Sequence, residues 1–283
     1  ICTLSYLIFA TAPVQAAGLW VFEQGTPDLG TAAAGRAAMA NDASTAFGNP
    51  AGMTRLKESQ MTVAAQALFP QIKFNADNSS FGGGNGGNAG YFTPTANISY
   101  VHSLTSDFKL GVSAGTYFGL GLDYDDDWAG RYYFLEGEFL TFGVNPVAAY
   151  RINKYLSVGG GMSMVVSRYE AKTAIRNLEP GSSDGKLKFK DTDVGFGGNA
   201  GVLISPTEGT RFGVQYRSKV ELEYEDKPDL SGVGPLLQAA LNLTGLAGSS
   251  VKLDMEIPQA VLASAYYEVT DKLAIMGNIG WQN

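Results

Sequence analysis

The feature that most constrains this fold is a period-two alternation of apolar and polar residues, which runs from about Ser59 to the last residues. In the stretch 211–217, for example, Phe212, Val214 and Tyr216 occupy every second position between glycine and polar residues. Successive side chains of a β-strand point to opposite sides of the sheet. The alternation therefore predicts an all-β chain whose sheet meets a different environment on each face.

The connections between the alternating stretches favour a membrane barrel over a soluble sandwich, which would show the same alternation. Short connections (103–106, 153–154, 206–209 and 270–272) alternate strictly with long ones (71–91, 120–137, 174–190 and 226–252). Transmembrane barrels have short periplasmic turns at one rim and long extracellular loops at the other. The pattern predicts an antiparallel transmembrane β-barrel.

Nine strands are predicted, at about 59–70, 91–102, 107–119, 138–152, 155–173, 191–205, 210–225, 254–269 and 272–282. Bacterial single-chain barrels close with an even number of strands. The sequence also stops within an alternating stretch, at Asn283. We therefore expect residues 57–283 to form an incomplete barrel.

The first 16 residues resemble the remnant of an export signal. An apolar run from Ile1 to Ala12 is broken by Pro13, and Val14-Gln15-Ala16 has small residues where signal peptidase requires them. The alternative is a short buried strand or helix. The single cysteine, Cys2, lies within this segment, so we expect no disulfides after cleavage.

Residues 17–56 do not alternate and are crowded with small side chains, most densely from Gly30 to Ala40. A segment this small and glycine-rich cannot bury a core of its own. It is predicted to be a hatch that plugs the barrel lumen. A disordered periplasmic tail is the alternative.

Several motifs of the chain resemble those of the FadL family of long-chain fatty acid and aromatic hydrocarbon transporters. They are Ala17-Gly18-Leu19-Trp20, Gly35-Arg36-Ala37, Asn41-Asp42-Ala43-Ser44, Phe47-Gly48-Asn49-Pro50-Ala51-Gly52, Tyr216-Arg217-Ser218-Lys219 and Val269-Thr270-Asp271-Lys272-Leu273-Ala274. The resemblance implies a fourteen-stranded barrel in the Gram-negative outer membrane, with about nine strands present here and an N-terminal hatch whose motif includes Asn49, Pro50 and Ala51. It also implies capture of a hydrophobic ligand in an extracellular groove, hatch rearrangement and lateral exit through a gap at a kink in the third strand.

The same resemblance places the kink glycine at Gly119, beside the candidate ligand contact Phe118. Glycine within a strand permits a bulge and leaves space for passage. The alternative is that Gly119 only opens the following loop. At the start of the hatch, Leu19, Trp20 and Phe22 are predicted to contact an apolar ligand.

Two further groups are candidate ligand contacts near the extracellular rim. Leu236, Leu237 and Leu241 lie in an apolar run that predicts one helical face, which serves either as a landing groove or as packing against another loop. Arg168, Lys172 and Arg176 share one parity of the fifth strand, and a cation there would pair with a ligand carboxylate inside the lumen. The alternative for each is a solvated rim charge.

Other functional classes fit the sequence less well. One histidine, His102, beside a short turn offers no catalytic constellation, so we expect neither an enzyme nor a cofactor. The acidic loop from Asp123 to Asp127 suggests calcium binding or, more simply, a solvated loop. A net charge of −7 argues against nucleic acid as a partner. We expect a monomer surrounded by outer-membrane lipid and lipopolysaccharide, and a general porin or an adhesin is the alternative function.

Overall fold

The structure of the chain, a computed structural model, describes residues 26–76, 82–116 and 118–283. The predicted export signal and the predicted ligand contacts Leu19, Trp20 and Phe22 lie outside these residues. Within the described ranges, no helix has the length and hydropathy needed to cross a membrane.

Eleven strands of the described residues pair into one sheet, and nine of them form its antiparallel path in the order β1-β2-β3-β5-β6-β7-β8-β12-β13. Their bounds are β1 Gln60–Leu68, β2 Thr93–Ser103, β3 Phe108–Gly115, β5 Glu136–Arg151, β6 Leu156–Ile175, β7 Gly185–Thr207, β8 Thr210–Arg217, β12 Ala260–Thr270 and β13 Leu273–Gln282. Two short strands, β4 Gly119–Asp123 and β10 Asp229–Ser231, pair with β5 and β7. Each of the nine strands of the path corresponds to one predicted strand, and β1 and β13 lie at the two edges.

The two faces of the sheet differ as the alternation predicts. On the outer face, Met162 is 66% exposed and Phe196 is 65% exposed, whereas Ser99 and Ser113 on the inner face are fully buried. A strand wall with lipid on one side needs this distribution, because apolar side chains face the lipid and polar ones face the lumen. The predicted apolar outer face is confirmed.

The prediction of one continuous strand over 210–225 is wrong. Pairing of β8 with β12 stops at Arg217, and the chain then forms β9 Val220–Asp226, which pairs with β11 Val251–Ile257 in a separate two-stranded sheet. This β9–β11 hairpin crosses the inner face of β7, where a Cβ added at Gly195 would lie 2.4 Å from Val220 Cγ1. The alternation continues past Arg217 because one side of β9 also faces apolar surroundings. Those surroundings are other side chains of the protein and not lipid.

Residues 26–56, here called the inner segment, contain short helices and turns. They comprise 3-10 helices at Pro27–Thr31 and Pro50–Arg55 and two single-turn helices, α1 Arg36–Met39 and α2 Thr45–Gly48. The segment contacts strands from β2 to β12, and the Gly35 amide donates a hydrogen bond to Asn278 of β13 (2.7 Å). The sheet therefore curves around the inner segment, which fills its concave side.

Candidate functional site

The inner segment approaches the wall at strand positions that lack side chains. A Cβ added at Gly159 would lie 2.6 Å from the Ala51 amide nitrogen, and one at Gly213 would lie 1.8 Å from the Ala37 carbonyl oxygen. Glycine within a strand allows another backbone to come this close. The inner face of the wall is therefore shaped to receive the backbone of the inner segment.

Asn49 fastens the inner segment to the wall and is fully buried. Its side-chain amide donates hydrogen bonds to the carbonyl oxygens of Ala37 (2.7 Å) and of Val202 on β7 (3.0 Å). Its Oδ1 accepts from the Ala51 amide (3.1 Å), which starts the 3-10 helix at Pro50. One side chain thus joins α1, the turn at Pro50 and the wall, which explains why asparagine is needed at this position.

The third strand is interrupted immediately before Gly119. In the register with β5, Gly115 pairs with Gly143 and Gly119 pairs with Leu140, so three residues on one strand lie opposite two on the other. A β-bulge inserts one extra residue in this way, bends the strand and reverses which residues face inward. Pairing with β2 also ends here, at Gly115. The regular ladder between β2 and the third strand therefore does not continue past this residue.

Phe118 turns inward at the break and is nearly fully buried. Its carbonyl oxygen accepts hydrogen bonds from the amide (3.0 Å) and hydroxyl (2.8 Å) of Thr141. A Cβ at Gly119 would lie 2.5 Å from the Phe139 carbonyl oxygen, so a larger residue would push β4 away from β5. The register shifts between Gly115 and Gly119, and pairing with β5 begins again at Gly119. A role of Gly119 as the kink glycine stays a prediction.

A cluster of aromatic and aliphatic side chains, here called the aromatic cluster, covers the inner wall between the break and the inner segment. Its buried members are Phe47, Phe118, Phe139, Val165, Phe189, Val220, Leu222, Tyr224 and Ile257, with Tyr169 partly buried against them. Ring centroids follow one another at 5.7 Å from Phe118 to Phe139, 6.3 Å from there to Tyr169, and 5.6 Å from Tyr169 to Tyr224. The rings form a continuous apolar surface from the inner segment to the break.

The sequence analysis missed this cluster, although the sequence carries a signal for it. Phe139, Tyr169 and Phe189 have the inner parity of β5, β6 and β7, where the neighbouring inward positions are largely polar or glycine. Aromatic residues on the polar side of a two-faced wall indicate a local apolar surface inside the barrel.

The β9–β11 hairpin lies over the aromatic cluster. Its Val220, Leu222 and Tyr224 are buried against the wall, and the Tyr224 hydroxyl donates a hydrogen bond to Ser167 on β6 (2.6 Å). The opposite side of the hairpin carries charged residues that pair with one another, such as Lys219 with Glu256 (3.2 Å). The hairpin is therefore amphipathic, with its apolar side closing the aromatic cluster from above.

The long connection between β10 and β11 contains α3, Pro235–Leu243, as predicted for the apolar run. None of its side chains is buried; Leu237 and Leu241 are half-buried, Leu236 is exposed and Leu243 is 89% exposed. The helix is attached to the neighbouring long loop, because Glu179 accepts a hydrogen bond from the Leu236 amide (2.7 Å). An apolar helix thus lies exposed at the end of the sheet that carries the long connections.

Comparison with known proteins gives the chain its family. Residues 7–283 match the family described as outer membrane protein transport protein (OMPP1/FadL/TodX). The chain belongs to this family. Family membership places the protein in the outer membrane, with the long loops at its extracellular side.

Named relatives and solved structures of the FadL/TodX family cover nearly all of the chain. It is 27% identical over 313 residues to outer membrane protein P1 of Haemophilus influenzae, covering 95% of this chain and 66% of that protein. It is also 27% identical to a long-chain fatty acid transport protein of Escherichia coli O6:H1, covering 96% and 68%. The chain thus spans about two-thirds of the length of these relatives.

The fold is also similar to solved structures of the family. A FadL homologue of Pseudomonas aeruginosa superposes with a TM-score of 0.78 at 21% identity, covering 94% of this chain and 69% of the other. The toluene transporter TodX of Pseudomonas putida superposes with a TM-score of 0.58 at 17% identity, covering 84% and 65%. The sheet therefore has the architecture of FadL/TodX outer-membrane β-barrels.

The structure does not place the predicted cationic ligand contacts in the lumen. Arg168 and Lys172 have the outer parity of Met162 and Met164, because β6 runs without a bulge through this region. Both are engaged in ion pairs, Arg168 with Glu170 at 2.9 Å and Lys172 with Glu136. Arg176 follows the end of β6 and is exposed on the 176–184 loop. The expectation of a lumenal partner for a ligand carboxylate is corrected for Arg168 and Lys172.

The remaining candidates lie apart from the aromatic cluster. Asp126 of the acidic loop pairs with Lys186 (2.8 Å), and across the described ranges no group of three or more histidine, cysteine or acidic side chains is arranged to hold a metal ion. His102 is exposed near the short turn, within 3.2 Å of the Tyr100 hydroxyl.

Proposed function

We propose that the protein carries hydrophobic small molecules, such as long-chain fatty acids or aromatic hydrocarbons, across the outer membrane by facilitated diffusion. The observation that supports this most strongly is the aromatic cluster, which extends from Phe47 of the inner segment to Phe118, where the third strand changes register. An apolar molecule moving along it would remain in contact with rings rather than water. No step of this route requires a catalytic group or a cofactor.

In this proposal the ligand first meets the exposed apolar helix α3 and then passes beneath the β9–β11 hairpin. It next reaches the inner segment, which acts as the hatch, and leaves sideways through the break at Phe118. Leu19, Trp20 and Phe22 precede the inner segment in the chain, and their predicted ligand contacts stay a prediction. The names of the E. coli and P. putida relatives, a long-chain fatty acid transport protein and a toluene transporter, agree with an apolar cargo.

Deleting Thr116 from the full-length protein tests lateral exit. The deletion makes the two strands equal in length between their paired residues and lets β3 continue straight into β4. We expect cells carrying this variant to lose uptake of labelled oleate and toluene. Thr116→Ala, which retains the extra residue, is the matched control and should transport normally.

A second variant, lacking residues 17–50, separates this function from that of a porin. Without the hatch we expect a small hydrophilic sugar to enter faster and hydrophobic uptake to fall. Unchanged uptake of oleate and toluene by both deletion variants, at normal outer-membrane levels, would contradict the proposal.

A further inference from the structure

The exposed apolar helix α3 has little packing to hold it in place. Its 9 residues include no buried side chain. Isolated helices shorter than about 12 residues are marginal in water, and most helices in proteins are stabilised by packing of an apolar face. The position of α3 and its helical order therefore depend on contacts at its ends.

The N-terminus of α3 receives its hydrogen-bond acceptor from another loop. The cap residue Gly234 has no side chain that could accept, and the next residue, Pro235, has no amide hydrogen. The first free amide of the helix is that of Leu236, which donates to Oε1 of Glu179 (2.7 Å). A carboxylate at this end of a helix also interacts favourably with the helix dipole. The 176–184 loop thus supplies the cap that the helix lacks.

Asn177, on the same loop, holds the residues immediately before α3. Its side-chain amide donates hydrogen bonds to the carbonyl oxygens of Ser183 and Gly232, each at 2.8 Å. Its Oδ1 accepts from the Gly234 amide (2.7 Å). Two of these three bonds reach residues 232–234, so the side chain fixes the direction in which the chain enters the helix.

The close approach of Glu179 explains the glycine at position 234. Gly234 has φ −69° and ψ 159°, which any residue can adopt, so its backbone conformation does not require glycine. A Cβ added there would lie 2.6 Å from the Glu179 carboxyl carbon, which is too close for two carbon atoms that are not bonded. Glu179 Oε2 is buried at this contact. A larger residue at position 234 would therefore displace the carboxyl group from the helix.

We propose that Asn177 and Glu179 are positioning residues for ligand capture, which hold α3 so that its apolar side chains form a fixed landing surface. The inference rests on the proposed function, in which a hydrophobic ligand first meets α3. Neither residue belongs to the aromatic cluster, so their loss affects capture and not the later steps. A helix that is ordered for only part of the time binds with an apparent affinity reduced by that fraction.

The test uses the full-length protein with Asn177→Ala combined with Glu179→Ala, which removes the three hydrogen bonds to residues 232–236. Each bond changes the population of the attached state about fivefold, so amides of α3 should exchange with deuterium roughly a hundred times faster, with β6 unchanged. Without its cap the helix is ordered for less than about a fifth of the time. The half-saturation concentration for uptake of labelled oleate and toluene should then rise at least about fivefold, with the maximal rate unchanged.

Three further variants separate a positioning role from a general loss of structure. Glu179→Gln retains an acceptor oxygen for the Leu236 amide and should keep the half-saturation concentration within about threefold of the unchanged protein. Gly234→Ala leaves Glu179 present but displaces it, and should raise the half-saturation concentration. Asn41→Ala combined with Glu58→Ala, at two exposed positions outside the loop, is the matched control and should change neither value.

The positioning role is overturned if exchange in α3 is unchanged in the Asn177/Glu179 variant. It is also overturned if α3 exchanges faster but the half-saturation concentration stays within twofold, and in that case the proposed function stands. A fall in the maximal rate alone would equally contradict it, because the loop would then act after capture. Absence of uptake of both compounds by the unchanged protein would contradict the proposed function, and the inference with it.

Discussion

Replacing Asn49 by alanine should release the inner segment from the wall while leaving the strands paired. The side chain lies entirely inside the protein, where it donates two hydrogen bonds and accepts one. Alanine removes all three and leaves the carbonyl oxygens of Ala37 and Val202 without these donors. Asn49 is not a member of the sheet, so strand pairing is not altered directly.

The size of the effect follows from the number of bonds. An intramolecular hydrogen bond contributes about 1 kcal/mol net, so the free energy that holds the inner segment against the wall should fall by about 3 kcal/mol. This corresponds to roughly a hundredfold larger population of the detached state.

Hydrogen–deuterium exchange of the full-length protein in detergent measures this population, through amides of residues 26–56 compared with those of β6. Amides of the inner segment should exchange about a hundred times faster, with β6 unchanged. Asn41→Ala, at an exposed position in the same segment, is the control and should differ by less than about 0.5 kcal/mol. Exchange in the Asn49 variant within threefold of the unchanged protein would refute the role given to this side chain.

Two further predictions concern the wall and the extracellular loops. Gly213→Val should detach the inner segment even though Asn49 remains, because its Cβ would lie only 1.8 Å from the Ala37 carbonyl oxygen. Normal exchange in residues 26–56 would contradict this. Burial raises the pKa of Asp184, but hydrogen bonds from Arg131 and Tyr132 outweigh it and hold the pKa below its usual range. These bonds join the loop between β4 and β5 to the loop between β6 and β7. The contact should therefore persist from neutral pH down to about pH 4 and be lost below that. Proteolysis of the two loops at graded pH measures the loss, and Asp184→Asn should abolish the pH dependence.

The strand wall was predictable because its period-two pattern depends on local chemistry. The alternation of apolar and polar residues within each strand indicates which side faces an apolar medium. The short turns fix where one strand ends and the next begins. Arg168 lies an even number of residues after Met162 on the same strand, so the two side chains point to the same face. The alternation alone would therefore have placed this cation outside the lumen.

The β9–β11 hairpin could not be predicted in this way. Val220, Leu222 and Tyr224 continue the parity of Phe212, Val214 and Tyr216, although the first group is covered by protein and the second faces outward. The hydropathy of a residue indicates that its side chain has apolar surroundings, but it does not distinguish lipid from another part of the protein. The partner strand β11 lies beyond a long loop, so the pairing is not local.

The inner segment and the hairpin share Phe47, and this contact should couple their movements. The Phe47 carbonyl oxygen accepts hydrogen bonds from Gln215 (2.7 Å) and Arg217, and its ring packs in the aromatic cluster with Tyr224. Detaching the inner segment would withdraw the ring and leave the apolar side of the hairpin less well covered.

A double-mutant cycle with Asn49→Ala and Tyr224→Phe measures this coupling. The phenylalanine variant loses one hydrogen bond to Ser167 and should loosen β9 by about 1 kcal/mol. Sites that share a packed cluster have interaction energies of about 0.5 to 3 kcal/mol, whereas independent sites add within about 0.5 kcal/mol. Exchange of β9 amides in the four proteins gives the value. A coupling above this additive limit means that release of the inner segment and uncovering of the aromatic cluster are one event. Strict additivity would show that the two elements move separately.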